Sequence, residues 1–258
     1  MFLRTATVLS VVTLVASCAM EQQPLPSCPA PGPLAAPGVA ASTPAAAIPA
    51  ARWRALLVAG DDSSPAFDNG VNTLRERLAA AGVQHISVLS SSGRGEALAS
   101  PRALYGGLRA AAGEACLVYM TSHGSTEGFY LRRGRCMMGA AALDQALNES
   151  CGSAPTVVVL SACHSGTFLT ETMRRPNRII LAAAAADRAS FGCGADNDYT
   201  YYDQCFLQQF DQATTWRELA SATKTCVEGL ERRLGVRQGS QPQLFVGAGV
   251  ANLRLPGR

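Results

Sequence analysis

Short apolar runs that stop abruptly at polar or glycine residues recur along this chain, and stretches of helical spacing separate them. Ala55-Leu56-Leu57-Val58-Ala59 ends in Gly60-Asp61-Asp62, and Thr156-Val157-Val158-Val159-Leu160 ends in Ser161. A short apolar run without alternation reads as a strand buried on both faces. His85 to Leu89, Cys116 to Met120, Ile179 to Ala183 and Gln243 to Val246 extend the count to six. Between them, Val71, Leu74, Leu78 and Ala81 fall on one helical stripe over 69–81. Pro101 opens a helix expected to run to Ala112, and further helical stretches cover 139–148, 202–210 and 215–234. Gly128 to Met138 has the composition of a small hairpin turning at Gly134. Strands alternating with helices predict an α/β fold: a three-layer α/β/α sandwich around a mostly parallel six-stranded sheet. Ligands of such sheets bind beyond the carboxyl ends of the strands. The positions just after Ala59, Leu89, Met120, Leu160 and Ala183 are therefore where chemistry is expected.

Two of those ends are unusual. Thr121-Ser122-His123-Gly124-Ser125 follows the third strand, and Ser161-Ala162-Cys163-His164-Ser165-Gly166 follows the fourth. Neighbouring strands lie about 4.8 Å apart, so an imidazole and a thiol at two such ends can reach one substrate carbonyl. A thiol is only slightly ionised at neutral pH, so a nearby imidazole matters to its reactivity. Gly124 leaves its backbone N–H approachable, and the N–H groups of Gly124 and Cys163 together suit an oxyanion. Gly166 allows a sharp turn into the next element. His164 adjoins the nucleophile and is a rival base, although adjacent side chains diverge. His85 starts a strand and reads as structural.

Residues 118–126, Val-Tyr-Met-Thr-Ser-His-Gly-Ser-Thr, and 158–166, Val-Val-Leu-Ser-Ala-Cys-His-Ser-Gly, resemble the His-Gly and Ala-Cys motifs of legumain-like cysteine peptidases. These belong with caspases and metacaspases to one structural group, so the resemblance implies a caspase-like sandwich from about Trp53 to Leu253. It also implies a cysteine endopeptidase that uses a Cys-His dyad and neither metal nor organic cofactor, acting on a peptide or protein substrate. Cys163 would form the acyl-enzyme, and His123 would serve as general acid/base. Arg188-Ala189-Ser190-Phe191-Gly192-Cys193 is similar to the legumain substrate loop, which brings Ser190 toward the substrate. Legumain's primary pocket uses an arginine, a glutamate and a later aspartate. The corresponding positions here are Asp68, Ser161 and Asp203. A pocket holding both Asp68 and Asp203 would favour a basic P1 residue. Equally, Asp68 caps the helix expected to begin near Asn69. The asparagine that orients the histidine in legumain has no counterpart near Ala66. The same dyad serves transamidases, and a cell-envelope binding scaffold that kept the fold without catalysis is a further alternative.

The ends of the chain address location. Met1 to Arg4 is a positive n-region, and the apolar stretch Ala6 to Ala16 is short for a bilayer span. Leu14-Val15-Ala16-Ser17-Cys18 resembles a bacterial lipobox, which implies a signal segment over 1–18 with lipid on Cys18; an ordinary cleaved signal ending near Ala19 is the alternative. Ala19 after the cysteine implies the outer membrane, facing the periplasm. Residues 19–50, rich in proline and alanine, read as an extended tether, with the peptidase domain over 51–258. Nine cysteines in an exported chain make disulfides expected, and Cys193 and Cys205, flanking one polar loop, are the candidate pair. Their spacings match no zinc site. A hydrophobic content of 48% excludes a disordered chain. The net charge of +3 is scattered over surface arginines, so a nucleic-acid partner is not expected.

Overall fold

The computed structural model describes residues 24–32 and 47–258. The expected signal segment, Cys18 and much of the tether lie outside the described residues. In chain order, β1 (Trp53–Ala59), α1 (Pro65–Ala80), β2 (His85–Ser90), β3 (Ala97–Leu98) and α2 (Pro101–Gly106) form the first half of the domain. Next come β4 (Ala115–Thr121), β5 (Gly124–Ser125), β6 (Gly128–Leu131), β7 (Cys136–Met138) and α3 (Ala140–Ser150). The last elements are β8 (Thr156–Ser161), β9 (Arg178–Ala182), α4 (Tyr201–Phe210), α5 (Trp216–Arg233) and β10 (Gln243–Val246).

The main sheet has seven strands in the order β10-β9-β8-β4-β1-β2-β3. It is parallel except for β10, which runs against β9. The strand beyond the expected six is β3, a two-residue edge too short to leave a periodic signal. The hairpin is present as β6 and β7, and β5 joins it in a separate three-stranded sheet. α1, α4 and α5 cover one face of the main sheet, packing around Phe67, Tyr119, Phe206 and Trp216. α2, α3 and the small sheet cover the other, around Phe129, Leu143 and Phe168. The result is the expected three-layer sandwich.

Two helix boundaries differ from the spacing argument. α1 begins at Pro65, because the Ser64 hydroxyl accepts from the Ala66 amide and proline suits the first helical position. Asp68 therefore lies inside the first turns and does not cap the helix. α2 stops at Gly106, where Gly106-Gly107 withdraws helix propensity.

The disulfides join Cys28 to Cys136, Cys116 to Cys151 and Cys205 to Cys226. The expected Cys193–Cys205 bridge is absent. Cys205 is buried between α4 and α5 and meets Cys226 across that helix pair, while Cys193 keeps its thiol. Flanking one loop does not bring two sulfurs within bonding reach. The Cys28 bridge also changes the reading of the tether. Residues 24–32 dock on the domain instead of running free of it: the Met137 amide donates to Pro26 O and the Cys28 amide to Met137 O. The Tyr105 hydroxyl holds Pro29 O at 2.9 Å.

One carboxylate ties α4 to the centre of the sheet. Asp203 is fully buried and accepts from the Tyr119 hydroxyl at 2.5 Å and the Thr121 hydroxyl at 2.7 Å. Burial pushes its carboxyl above the ordinary aspartate range, and the hydroxyls of Tyr119, Thr121, Ser161 and Thr200 pull it back.

Two predictions follow from these ties. Replacing Cys28 and Cys136 together by alanine releases a cross-link of sequence separation 108 and lowers unfolding free energy in urea by about 3–5 kcal/mol. The Cys205–Cys226 link, of separation 21, costs less when removed. Between the ordinary aspartate value of 3.8 and its raised native value, Asp203 is protonated in the native chain and ionised in the unfolded one. Its contribution to stability therefore falls as pH rises through that window. Asp203→Asn removes this slope, so the difference in unfolding free energy moves in the variant's favour as the pH is raised from about 4.

Candidate active site

Strand register sets the site. β4 pairs with β8 in parallel, Met120 opposite Leu160 and Thr121 opposite Ser161. One residue further the Ser122 amide still donates to Ser161 O, at 3.2 Å. His123 and Cys163 each lie two residues past the last paired position, so they sit at one level just beyond the ends of neighbouring strands. Side chains alternate along a strand. Leu117 and Tyr119 on β4, and Val157 and Val159 on β8, face the side covered by α1, α4 and α5. Thr121 also points there, onto Asp203. The same parity sends both His123 and Cys163 to that side. Phe67 of α1 meets the imidazole edge-on, with ring centroids 5.2 Å apart, and Cys163 packs in the same cluster as Phe67.

The two strand ends also touch through backbone. A Cβ on Gly124 would lie 2.3 Å from Cys163 O and 3.0 Å from the Ala162 Cβ. Only glycine lets the chain after His123 cross the end of β8 this closely. The segments carrying the two expected oxyanion amides, Gly124 and Cys163, are thus packed against each other. The Tyr130 amide donates to His123 O at 3.0 Å, so the small sheet holds the histidine from behind.

The Cys163 side chain is buried, 1% exposed. The sulfur meets the loop between β9 and α4: the Ser190 amide donates to it at 3.1 Å, and Ser190 O and Oγ lie at 3.5 and 3.6 Å. A backbone N–H aimed at sulfur is a favourable partner for a thiolate. His164 follows in the left-handed region, φ 56°. Its Nδ1 lies 2.9 Å from Ala186 O, and its amide donates to Arg188 O at 2.8 Å. The ring is committed to the loop that carries Ser190, an anchoring position rather than that of a base. His85 is exposed at the start of β2.

The expected two-carboxylate pocket does not form. Asp68 is buried and accepts from Ser90 Oγ at 2.6 Å and Ser92 Oγ at 2.5 Å, at the end of β2. Asp203 is spent on β4 hydroxyls, and β1 lies between β2 and β4. Each anion is satisfied locally, so the two do not pool charge for a basic P1 side chain. Ser161 is buried too and turns to Thr200 Oγ1 at 3.2 Å. It belongs to the hydroxyl cluster beneath the site.

Sequence reasoning missed Ser63. On the loop after β1, Ser63 Oγ lies 3.1 Å from His123 Nε2. The signal was available, since residues just after Ala59 occupy one of the strand ends where ligands bind, but the Asp-Asp-Ser-Ser run carries no motif. Phe67 lay ahead of the stretch expected to be helical and was not placed at the site.

The peptidase C13 family matches residues 95–229, just over half of the chain and including both strand ends. No curated protein sequence matches the chain. Among solved structures, caspase-1 from Spodoptera frugiperda superposes with a TM-score of 0.53 at 13% identity, covering 76% of this chain and 86% of that one. At that identity the likeness speaks for the fold alone. Family match and fold agree: the chain belongs to the peptidase C13, or legumain, family, and is a cysteine-type peptidase on a caspase fold.

Proposed function

We propose that the chain is an endopeptidase in which Cys163 is the nucleophile and His123 the general acid/base. The observation that carries this reading is the shared level and shared face of the two residues, fixed by the pairing of Thr121 with Ser161. In the proposed cycle, the thiol proton passes to the imidazole and sulfur adds to the scissile carbonyl. The resulting oxyanion sits between the Gly124 and Cys163 amides. Collapse breaks the C–N bond, and the imidazolium gives its proton to the leaving amine. Water, deprotonated by the same imidazole, then releases the acid product and regenerates the thiol.

Burial of the sulfur is compatible with this cycle because the cover is a loop segment. Substrate would take the place of Ser190, whose amide and carbonyl now face Cys163. Wild-type chain cleaves members of a mixed peptide library, and a peptidyl electrophile labels Cys163. Cys163→Ala and His123→Ala each reduce cleavage by on the order of 10³-fold or more while still unfolding cooperatively in urea. Full activity in Cys163→Ala would remove this residue from the chemistry.

The location is proposed as the cell envelope, outer membrane facing the periplasm, with lipid on Cys18. Three disulfides among the described residues support an oxidising compartment. Membrane partitioning of the full chain in detergent extraction is expected to be lost in Cys18→Ser. A variant that stays in the membrane fraction would exclude the lipid as anchor.

A further inference from the structure

Ser63 is exposed, but the loop that carries it is held in place. Its amide donates to Asp61 Oδ1 at 2.5 Å. Asp61 is 2% exposed, and its other oxygen faces the Arg132 guanidinium at 3.7 Å. The Arg132 amide in turn donates to Gly60 O at 2.9 Å, which binds the hairpin to the end of β1. On the other side of Ser63, Ser64 caps α1 and fixes where that helix starts. The loop is therefore held at both ends, and it presents one hydroxyl to Nε2 of His123 at 3.1 Å. Phe67, on the first turn of α1, supports the same ring edge-on. One short stretch of chain thus holds the imidazole both by a polar contact and by an apolar one.

We propose that Ser63 is the positioning residue of the dyad: its hydroxyl accepts the Nε2 proton of His123 and selects the tautomer whose Nδ1 lone pair serves the Cys163 thiol. The proposal rests on the peptidase reading above. A neutral imidazole carries one N–H; a hydroxyl can accept it or donate to the bare nitrogen, and acceptance at Nε2 is the arrangement that leaves the lone pair on Nδ1. The thiol proton moves to Nδ1 and gives an imidazolium that keeps Nε2–H on Ser63. The Nδ1 proton then goes to the leaving amine, and the starting tautomer returns. With the proton on Nδ1 instead, the ring has no lone pair there to receive the thiol proton. A hydroxyl in this place does the orienting that an asparagine does in legumain, where this chain has none near Ala66.

The test compares Ser63→Ala and Ser63→Thr in the full chain, using a fluorogenic peptide chosen from the mixed library. Ser63→Ala is expected to lower kcat by about 10- to 100-fold, as loss of ring alignment does, with KM changed by less than about threefold. Ser63→Thr keeps the hydroxyl and is expected to recover most of kcat. The nitrogen NMR signals of the His123 ring, assigned with His123→Gln, report the Nε2–H tautomer in the wild type and a mixed population in Ser63→Ala. An unchanged tautomer in Ser63→Ala overturns the proposal, as does a kcat within twofold of wild type or failure of threonine to rescue. Inactive Cys163→Ala beside active Ser63→Ala removes only the role of Ser63. Active Cys163→Ala removes the peptidase reading, and this role with it.

Discussion

Register between β4 and β8 is the constraint on which the site depends. A strand alternates its faces residue by residue, so a slip of one position sends every side chain to the opposite layer. Sliding β4 by one residue against β8 would leave Cys163 facing α1, α4 and α5 and turn His123 toward α2 and α3. The pairing is protected where it matters. Val157 to Leu160 and Leu117 to Met120 are buried on both faces, so a slip would repack both layers at once. At the end of the pair, Thr121 bonds Asp203 and Ser161 bonds Thr200, and only this register satisfies those hydroxyls.

The same hydroxyl cluster explains a buried anion at the heart of the domain. A lone buried carboxylate is costly. Asp203 is tolerated because donors converge on it from β4, β8 and the start of α4. Burial and hydrogen bonds then act in opposite senses on its charge. What the structure gains is geometric: α4 is pinned beneath the strand ends, and the loop from β9 to α4 must pass over Cys163 to reach it. The Cys28 bridge acts in the other layer. It straps the N-terminal segment to β7, and the small sheet it stiffens donates to His123 O through Tyr130.

How much of this was legible in the sequence depended on range. The strands buried on both faces and the hairpin at 128–138 are local patterns, and they read correctly; His123 and Cys163 also lie where expected, just past the ends of β4 and β8. β3 was invisible because two residues, Ala97 and Leu98, carry no period, and its place at the edge is a tertiary fact. Disulfide partners were not legible for the same reason: Cys28 and Cys136 are neighbours only after β7 recruits the N-terminal segment. Asp68 and Asp203 were expected to share a pocket by analogy of position. The hydroxyls that separate them, Ser90 and Ser92 against Tyr119 and Thr121, come from different strands and had no reason to be weighed together. Ser63 was missed because a hydroxyl on a loop gains meaning only once the histidine opposite it has been placed.

The contact that conceals the thiol also aims a backbone donor at it. The Ser190 amide that points at sulfur stabilises negative charge there, and the peptide that carries it covers the atom. Such a cover has to be weak if a substrate is to replace it. The Ser190 contacts to sulfur are one amide hydrogen bond at 3.1 Å, with a net value of about 0.5–1.5 kcal/mol, and two longer approaches of its O and Oγ at 3.5 and 3.6 Å. The segment around it, 187–199, has no regular element beyond a bridge at Phe191; it is fastened by Arg188 O on the His164 amide, Phe191 O on the Tyr201 amide, and near its end by Asn69 Nδ2 on Asp198 O and Thr73 against the Tyr199 hydroxyl. The strands beneath are held by continuous ladders and a fully buried core on each side. Lifting Ser190 therefore costs far less than disturbing β4 or β8. An extended peptide that offers its own backbone groups can replace the lost contact, while the level shared by His123 and Cys163 stays fixed.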